Sequence, residues 1–523
     1  MNKYKEQIEK CCEYIRSGAQ NAENPDVMLL KGGSYKIKGY YLENNKLNDI
    51  RGASANLSYV EDVVIPDKIK EYADESCIIY NGGGNIFCIL PAGTSEDFAL
   101  MLEEEAQKYL VSANTAYVLM RAKLSDIQKE YRETMRKLEE KLSERKKLKV
   151  SIDPNPKSAF NETGIPWSDP AVIELRAKEV GGNEICGLCK SKIAAYVLPD
   201  NVRVCGSCLH KNRIGISARV SKYRNEYKKY TGMDAIACNS LGDIDKDYVA
   251  VVYGDGNNMG QIIQNFDDIT DMMRFSDEVK AAANRAVFET MKKLGIRRFE
   301  VVGLGGDDVF VIVSGKIAME FAVRLTEVYN EEFRRTPEEL KADSNPYKST
   351  MSVGVCIAKT NTPIRIMLEI AEEKLKSAKT QAKRDNADGC DVGSVAFAIL
   401  DDPTDMADDA ENKFGALSTL QPYRTDSAKQ LLKVVRGLST LGKTALRNIY
   451  NAYCGADVEE EADLFFKYHN AKARTDAKIA LPQIAGYTIE NGLYCRNGKK
   501  AFIWKDILDL LSFADERSES YEK

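Results

Sequence analysis

Two glycine-rich turns of one design constrain this chain more than any other feature. Gly82-Gly83-Gly84-Asn85-Ile86-Phe87 aligns with Gly305-Gly306-Asp307-Asp308-Val309-Phe310. Each turn lies between short apolar runs: Cys77–Tyr80 and Ile86–Leu90 in the first case, Arg298–Gly303 and Val309–Val313 in the second. Glycine reaches positive φ without steric cost, so such a pattern reads as strand, tight turn, strand. A helix signal follows both hairpins. The recurrence predicts an internal repeat, two similar α/β units of which only the second carries acids. Asp307 and Asp308 are like charges side by side, and they repel. A divalent cation would offset that repulsion, and Mg²⁺ is commonly held by one or two carboxylates plus substrate phosphates. On the tetrapeptide alone, a polar hairpin tip is the simpler reading.

The length, 523 residues with 44% hydrophobic and 29% charged, suits three or four domains. The expected division is an acid-poor α/β unit with long helices over 1–150, a linker and cysteine-bearing insert over 151–245, an acid-bearing α/β unit over 246–400 and a helical domain over 401–523. In the first unit, Val27–Tyr41 reads as strand and Lys46–Tyr59 as helix, with Asn44 and Asn45 ahead of it as caps and Gly52 as a flaw. Ser95–Leu148 reads as mostly helical, with Leu124, Ile127, Tyr131, Met135, Leu138 and Leu142 forming an apolar stripe. A linker runs from Asp153 to about Gly182. In the second unit the order βαββαβ, extended by a helix and a strand, is ferredoxin-like. Beyond Asp401 the strand signal fades, and helices are expected at Ser427–Leu441, Leu446–Tyr453 and Val458–His469. The fold class is therefore α+β, multidomain.

The net charge is −5, so contact with RNA or nucleotides must come from local patches. No run approaches the ~18 apolar residues of a membrane span, and the first residues lack a secretory core. Of thirteen cysteines, four form Cys186-x2-Cys189-x15-Cys205-x2-Cys208, a zinc-ribbon spacing. With four thiolates and no open position, the expected Zn²⁺ is structural. The other nine fit free thiols in a reducing cytoplasm. His210 and His469 are the only histidines. A histidine-rich metallohydrolase site is excluded, and a Ser-His-Asp triad would depend on one isolated residue.

Asp255 ends the strand Asp247–Tyr253 in Gly254-Asp255-Gly256-Asn257-Asn258-Met259-Gly260. In a ferredoxin-like sheet the first strand neighbours the hairpin strand, so Asp255 is expected to face Asp307 and Asp308. Three convergent carboxylates suit one or two Mg²⁺ or Mn²⁺ ions, and Gly254, Gly256 and Gly260 allow backbone to approach a triphosphate. Such parts serve phosphoryl or nucleotidyl transfer, which needs positioning and charge neutralisation. Lys376, Lys379 and Lys383 share a helix face, and Lys379 is chosen as the cation for the triphosphate. The bland alternatives are an acidic sheet edge without metal and a solvated lysine face.

These residues resemble a known family. The second unit is similar to the Palm of nucleotidyl cyclases and GGDEF diguanylate cyclases. Above all it resembles the polymerase-like, cyclic-oligoadenylate-synthesising large subunit of type III CRISPR effector complexes. Asp255–Gly260 resembles that family's Asp-Gly-Asp-Asn-Met-Gly, and Gly305–Asp308 its Gly-Gly-Asp-Asp. Ser352–Val355 and Ala371–Lys379 resemble its later strand and Ala-Lys helix. Lys46–Ser54 and Tyr80–Asn85 resemble its first, acid-poor Palm, and the cysteine knuckles and C-terminal helices fall where it has a zinc insert and a helical domain. Asn257 departs from the pattern, since the family has an acid there. No His-Asp pair occurs, so the family's nuclease domain and DNA cleavage are not expected. The resemblance implies an ATP donor held by Asp255, Asp307, Asp308 and Lys379, with Gly254, Gly256, Asn257, Gly305 and Gly306 around it. It places a second nucleotide near Gly82, Gly83, Gly84 and Asn85. It implies attack of a 3′-hydroxyl on the α-phosphorus, a cyclic oligoadenylate product, and work beside other effector subunits with guide and target RNA.

Three readings stay open at this point. The product could instead be AMP joined to S-adenosylmethionine. The chain could be a non-catalytic scaffold of the RNA-guided complex, for which Asn257 leaves room. A stand-alone GTP-using GGDEF cyclase is disfavoured by the duplicated unit with a zinc ribbon.

Overall fold

The computed structural model describes residues 3–148, 178–217, 222–334, 349–387, 392–400, 413, 415–438, 443–472, 481–484, 486–496 and 498–513. Two compact units are present: 1–240 with 259–284 and 300–308, and 241–258 with 285–299 and 309–523.

In the first unit, β1 (Asp26–Tyr35), β2 (Ile78–Gly82), β3 (Asn85–Pro91) and β4 (Asn114–Lys123) form an antiparallel sheet ordered β2-β3-β1-β4. Helices Leu47–Tyr59 and Phe98–Leu110 make the crossovers, completing βαββαβ. The repeat anticipated from the two turns is therefore present in the acid-poor half. One element departs from expectation, for β4 interrupts the supposed helical run Ser95–Leu148. Its Ala116–Leu119 core is buried, and so short an apolar run cannot be told from helix by periodicity alone. The stripe beyond it is divided between helices Leu124–Lys129 and Tyr131–Lys147, and buries Leu124, Ile127, Tyr131, Leu138 and Leu142. Val27–Tyr41 is strand only to Tyr35, because Lys36 takes a left-handed φ of 53° and starts the short helix Ile37–Tyr41. Asn44 does not cap Leu47–Tyr59 directly; its Oδ1 accepts from Lys46 N at 2.9 Å.

Gly52 has a packing reason. A Cβ there would fall 1.9 Å from the Lys211 carbonyl oxygen, and one on Gly215 would fall 1.7 Å from that of Asn48. Two glycines thus let the Leu47–Tyr59 helix cross the Gly206–Ser217 helix at backbone contact. The expected linker lies outside the described residues as far as residue 177. Beyond it, β5 (Lys178–Glu179), β6 (Tyr196–Val197) and β7 (Arg203–Val204) make a small sheet around the cysteine knuckles.

The second large sheet is built on β8 (Tyr248–Gly256). β9 (Glu300–Gly305) leads through the acid-bearing turn into β10 (Asp308–Ser314), followed by β11 (Met351–Lys359), β12 (Ser394–Leu400) and β13 (Tyr423–Arg424). The sheet order is β13-β12-β11-β8-β10-β9. β8 runs antiparallel to both β10 and β11, while β12 adds parallel to β11. Strands covered on both faces read as continuous apolar runs, as in Val249–Val252 and Val309–Val313, all buried. Helices Thr425–Leu438, Lys443–Gly455 and Glu459–Lys472 follow where expected. The fading of strand signal was misleading, for β14 (Thr488–Glu490), β15 (Leu493–Arg496) and β16 (Lys499–Ala501) form an antiparallel sheet before a last helix Trp504–Leu511. Strands of three or four residues leave too little alternation to detect. Among the described residues no helix is long and apolar enough to cross a membrane.

Candidate nucleotidyl-transfer site

The end of β8 is held by its neighbours. Val309 lies opposite Gly254 on one side; Ser352 and Met351 lie opposite Asp255 and Gly256 on the other. The apolar part of the strand stops at Tyr253, and the Asp255 side chain, 26% exposed, is the first that solvent reaches. Helix Ile364–Ala387 lies hard against β11, since a Cβ on Gly354 would fall 1.9 Å from the Ala371 carbonyl oxygen. Two turns further along that helix, Lys379 Nζ meets Asp255 Oδ2 at 2.5 Å. Lys376 and Lys383, which share its sequence face, are exposed instead.

Asn257 is buried at 4% exposure. Its backbone N–H donates to Thr350 O at 2.7 Å, its Nδ2 to Thr350 Oγ1 at 2.7 Å, and its Oδ1 accepts from Ser352 Oγ at 2.9 Å. Both ends of the amide are thereby committed to β11 and the residue preceding it. The structure turns this side chain toward the protein, where the sequence reading had placed it among the nucleotide-binding residues.

In the first unit the two glycine turns meet. Gly83 and Gly306 take φ of 60° and 61°. A Cβ on Gly83 would lie 3.5 Å from Gly306 Cα and N, and one on Gly306 would lie 3.6 Å from Gly83 Cα. The acid-free and acid-bearing turns therefore touch backbone to backbone, and Asp307 and Asp308 follow directly, both half-buried. The acid-free turn is fixed from below: Asn81 Nδ2 donates to Glu61 O at 2.7 Å and Asn85 Nδ2 to Gly83 O at 3.2 Å. Gly33 gives it room, since a Cβ there would fall 1.8 Å from Gly84 O. Beside Gly82 stand Ser276 Oγ and Lys280 Cδ, each 3.9 Å from where its Cβ would be. Sequence reasoning missed both, because nothing in an ordinary amphipathic helix marks them.

The far end of β9 is anchored by a buried ion pair. Arg51 Nε donates to both Glu300 oxygens at 3.0 Å, its Nη1 to Asn48 Oδ1 at 2.9 Å and its Nη2 to Cys238 O at 2.6 Å. The two side chains are 2% and 4% exposed. Nearer the turn, Leu304 N donates to Tyr223 Oη at 3.2 Å. Burial, then Tyr223, Glu61, Tyr40 and Asp308, push the Tyr41 phenol well above its usual range, so Tyr41 stays a neutral hydroxyl.

The cysteine sulfurs of Cys186, Cys189, Cys205 and Cys208 lie within 4.8 Å of one another. Four thiols so gathered, three of them buried, match the tetrahedral donor set of structural Zn²⁺.

Residues 248–387 match the family model of the Cas10/Cmr2 second palm domain. The matched stretch contains Asp255, Asp307, Asp308 and Lys379. Three crystal structures share the fold over most of the chain. A Csm1–Csm4 cassette in complex with cA4 superposes with a TM-score of 0.55 at 14% identity, covering 94% of this chain and 70% of that one. Csm1 of T. onnurineus gives 0.53 at 15%, covering 95% and 71%. A Csm1–Csm4 cassette with pppApApA gives 0.53 at 14%, covering 93% and 69%. Among curated proteins none matches the sequence. By its palm and its fold the chain is Cas10-like.

Proposed function

We propose that this chain is the nucleotidyl-transferring large subunit of a type III CRISPR effector, converting ATP to a cyclic oligoadenylate when target RNA is bound. The observation that carries this reading is the contact of Gly83 with Gly306. It sets an acid-free turn against an acid-bearing one, so that a nucleotide at each would stand side by side. The shared fold with Csm1–Csm4 cassettes bound to cA4 and pppApApA supports the product class. The partners are then other type III subunits with guide and target RNA.

In this reading Asp255, Asp307 and Asp308 hold Mg²⁺ or Mn²⁺, which when bound neutralises the triphosphate. The chain's own groups do the rest. Lys379 offers its ammonium to the triphosphate. Backbone N–H groups at Gly254, Gly256, Gly305 and Gly306 approach its oxygens, as those at Gly82, Gly83, Gly84 and Asn85 approach the second nucleotide. Ser276 and Lys280 add contacts beside Gly82. The 3′-hydroxyl oxygen of the second nucleotide bonds to the α-phosphorus of the first as its proton passes to water, the bond from that phosphorus to the bridging oxygen breaks, and pyrophosphate leaves. Held in line, such reactants need little covalent help from the protein. Asn257 positions the backbone after Asp255 through Thr350 and Ser352. Cys186, Cys189, Cys205 and Cys208 hold structural Zn²⁺.

The test is to assemble the chain with its partner subunits, guide RNA and target RNA, supply ATP with Mg²⁺ or Mn²⁺, with and without S-adenosylmethionine, and weigh the product. A cyclic adenylate is expected. An adduct of AMP and S-adenosylmethionine would change the acceptor, and no product under any condition would leave a scaffold.

A further inference from the structure

We propose a second phosphate-binding site in the second unit, distinct from the residues assigned to nucleotidyl transfer. A cavity of about 580 Å³ opens between the end of helix Ile364–Ala387, the segment 417–421 and the β14–β16 sheet. That volume falls in the range of small-molecule sites. Arg384, Arg496, Lys499 and Lys500 line it, and no carboxylate does among the described residues. In a chain of net charge −5, four cations around one hollow form a local anion site.

The acids that do belong to this region stand behind the wall and orient it. Asp385, 1% exposed, takes Arg496 Nη2 at 3.1 Å and Gln381 Nε2 at 3.0 Å on a single oxygen. Asp506, fully buried, accepts from Thr419 Oγ1 at 2.8 Å and from Gln421 Nε2 at 3.1 Å. Glu459 pairs with Lys500. Lining side chains held this way lose little freedom when a ligand arrives. Arg384 and Lys499 are exposed and have no ion pair among the described residues, so the positive excess rests on them. Tyr487 also lines the cavity, with the Arg496 guanidinium 5.7 Å from its ring centre. Cations beside an aromatic ring are the parts that hold a phosphate and its base. The ligand class is therefore a phosphorylated nucleotide, either free or as the 5′-phosphate end of an RNA strand.

The test uses the full chain in EDTA, so that it does not depend on turnover. The protein is photolabelled with 8-azido-ATP, and separately with 5′-phosphorylated or unphosphorylated single-stranded RNA bearing a photoreactive first base, and the labelled peptides are mapped. Label is expected on the peptide containing Tyr487 with at least one phosphorylated probe, and the probe that labels names the source. The signal should fall about tenfold in Arg384→Ala/Lys499→Ala, and return in Arg384→Lys/Lys499→Arg. Label on that peptide from neither phosphorylated probe, equal label without the phosphate, or label unchanged in the alanine pair would overturn the site.

Discussion

At the scale of single residues, the most consequential finding is that Arg51 and Glu300 are an ion pair closed off from water. Removing one member leaves the other charged and buried, which costs about 3–5 kcal/mol, whereas replacing both with apolar groups is often near neutral. Arg51→Met should therefore lower the urea midpoint sharply, and Arg51→Met/Glu300→Leu should recover most of it. A single variant as stable as the parent would show that the pair is solvated. Residue identity was legible in the sequence where chemistry is local. The four cysteines stand out from spacing alone, while Asp255, Asp307 and Asp308 became candidates only once the expected sheet set them near one another. Lys379 was chosen from three lysines on one helix face, and its contact with Asp255 is what distinguishes it from Lys376 and Lys383. Gly52 looked like a flaw in a helix, and its purpose lies in a crossing with Gly215 that no local pattern records. Asn257 stood out as a departure from the acidic pattern, and the hydrogen bonds of its side chain to Thr350 and Ser352 carry no sequence signature.

At the scale of elements, the close approach of a helix to β11 carries the geometry of Lys379. Gly354→Val would drive side-chain carbons into the Ala371 carbonyl. Such overpacking costs about 1–3 kcal/mol, and the helix must shift. The expected readout is a lower melting temperature together with weaker ATP binding in the variant; normal ATP binding would mean that Lys379 does not need that contact. The cysteine ribbon has too small a core to stand without its metal. The purified chain should contain about one zinc per molecule, and Cys205→Ser/Cys208→Ser should lose the metal and become protease-sensitive around residues 178–217. Metal content unchanged by that pair would remove the assignment. Elements were legible where they are long or punctuated by glycine, as at both hairpins and at Ile364–Ala387. They were not where a strand is short and flanked by helices, as at Asn114–Lys123, or only three or four residues long, as at β14 to β16.

At the scale of the whole molecule, the repeat seen in two turns proved to be the architecture. Each half has a ferredoxin-like sheet, and the second matches the model of the Cas10/Cmr2 second palm domain. The order of the parts was readable because each has its own local signature. The meeting of Gly83 and Gly306 was not, since they are far apart in sequence and glycine carries no chemical label. The proposed function stands or falls on Asp307 and Asp308, beside that contact, holding the reacting nucleotide. The most direct measurement is pyrophosphate release from ATP by the RNA-bound complex, comparing the parent chain with Asp307→Ala/Asp308→Ala. A fall of at least about a hundredfold is predicted for the variant, with assembly into the complex unchanged. Release at the parental rate would contradict the claim.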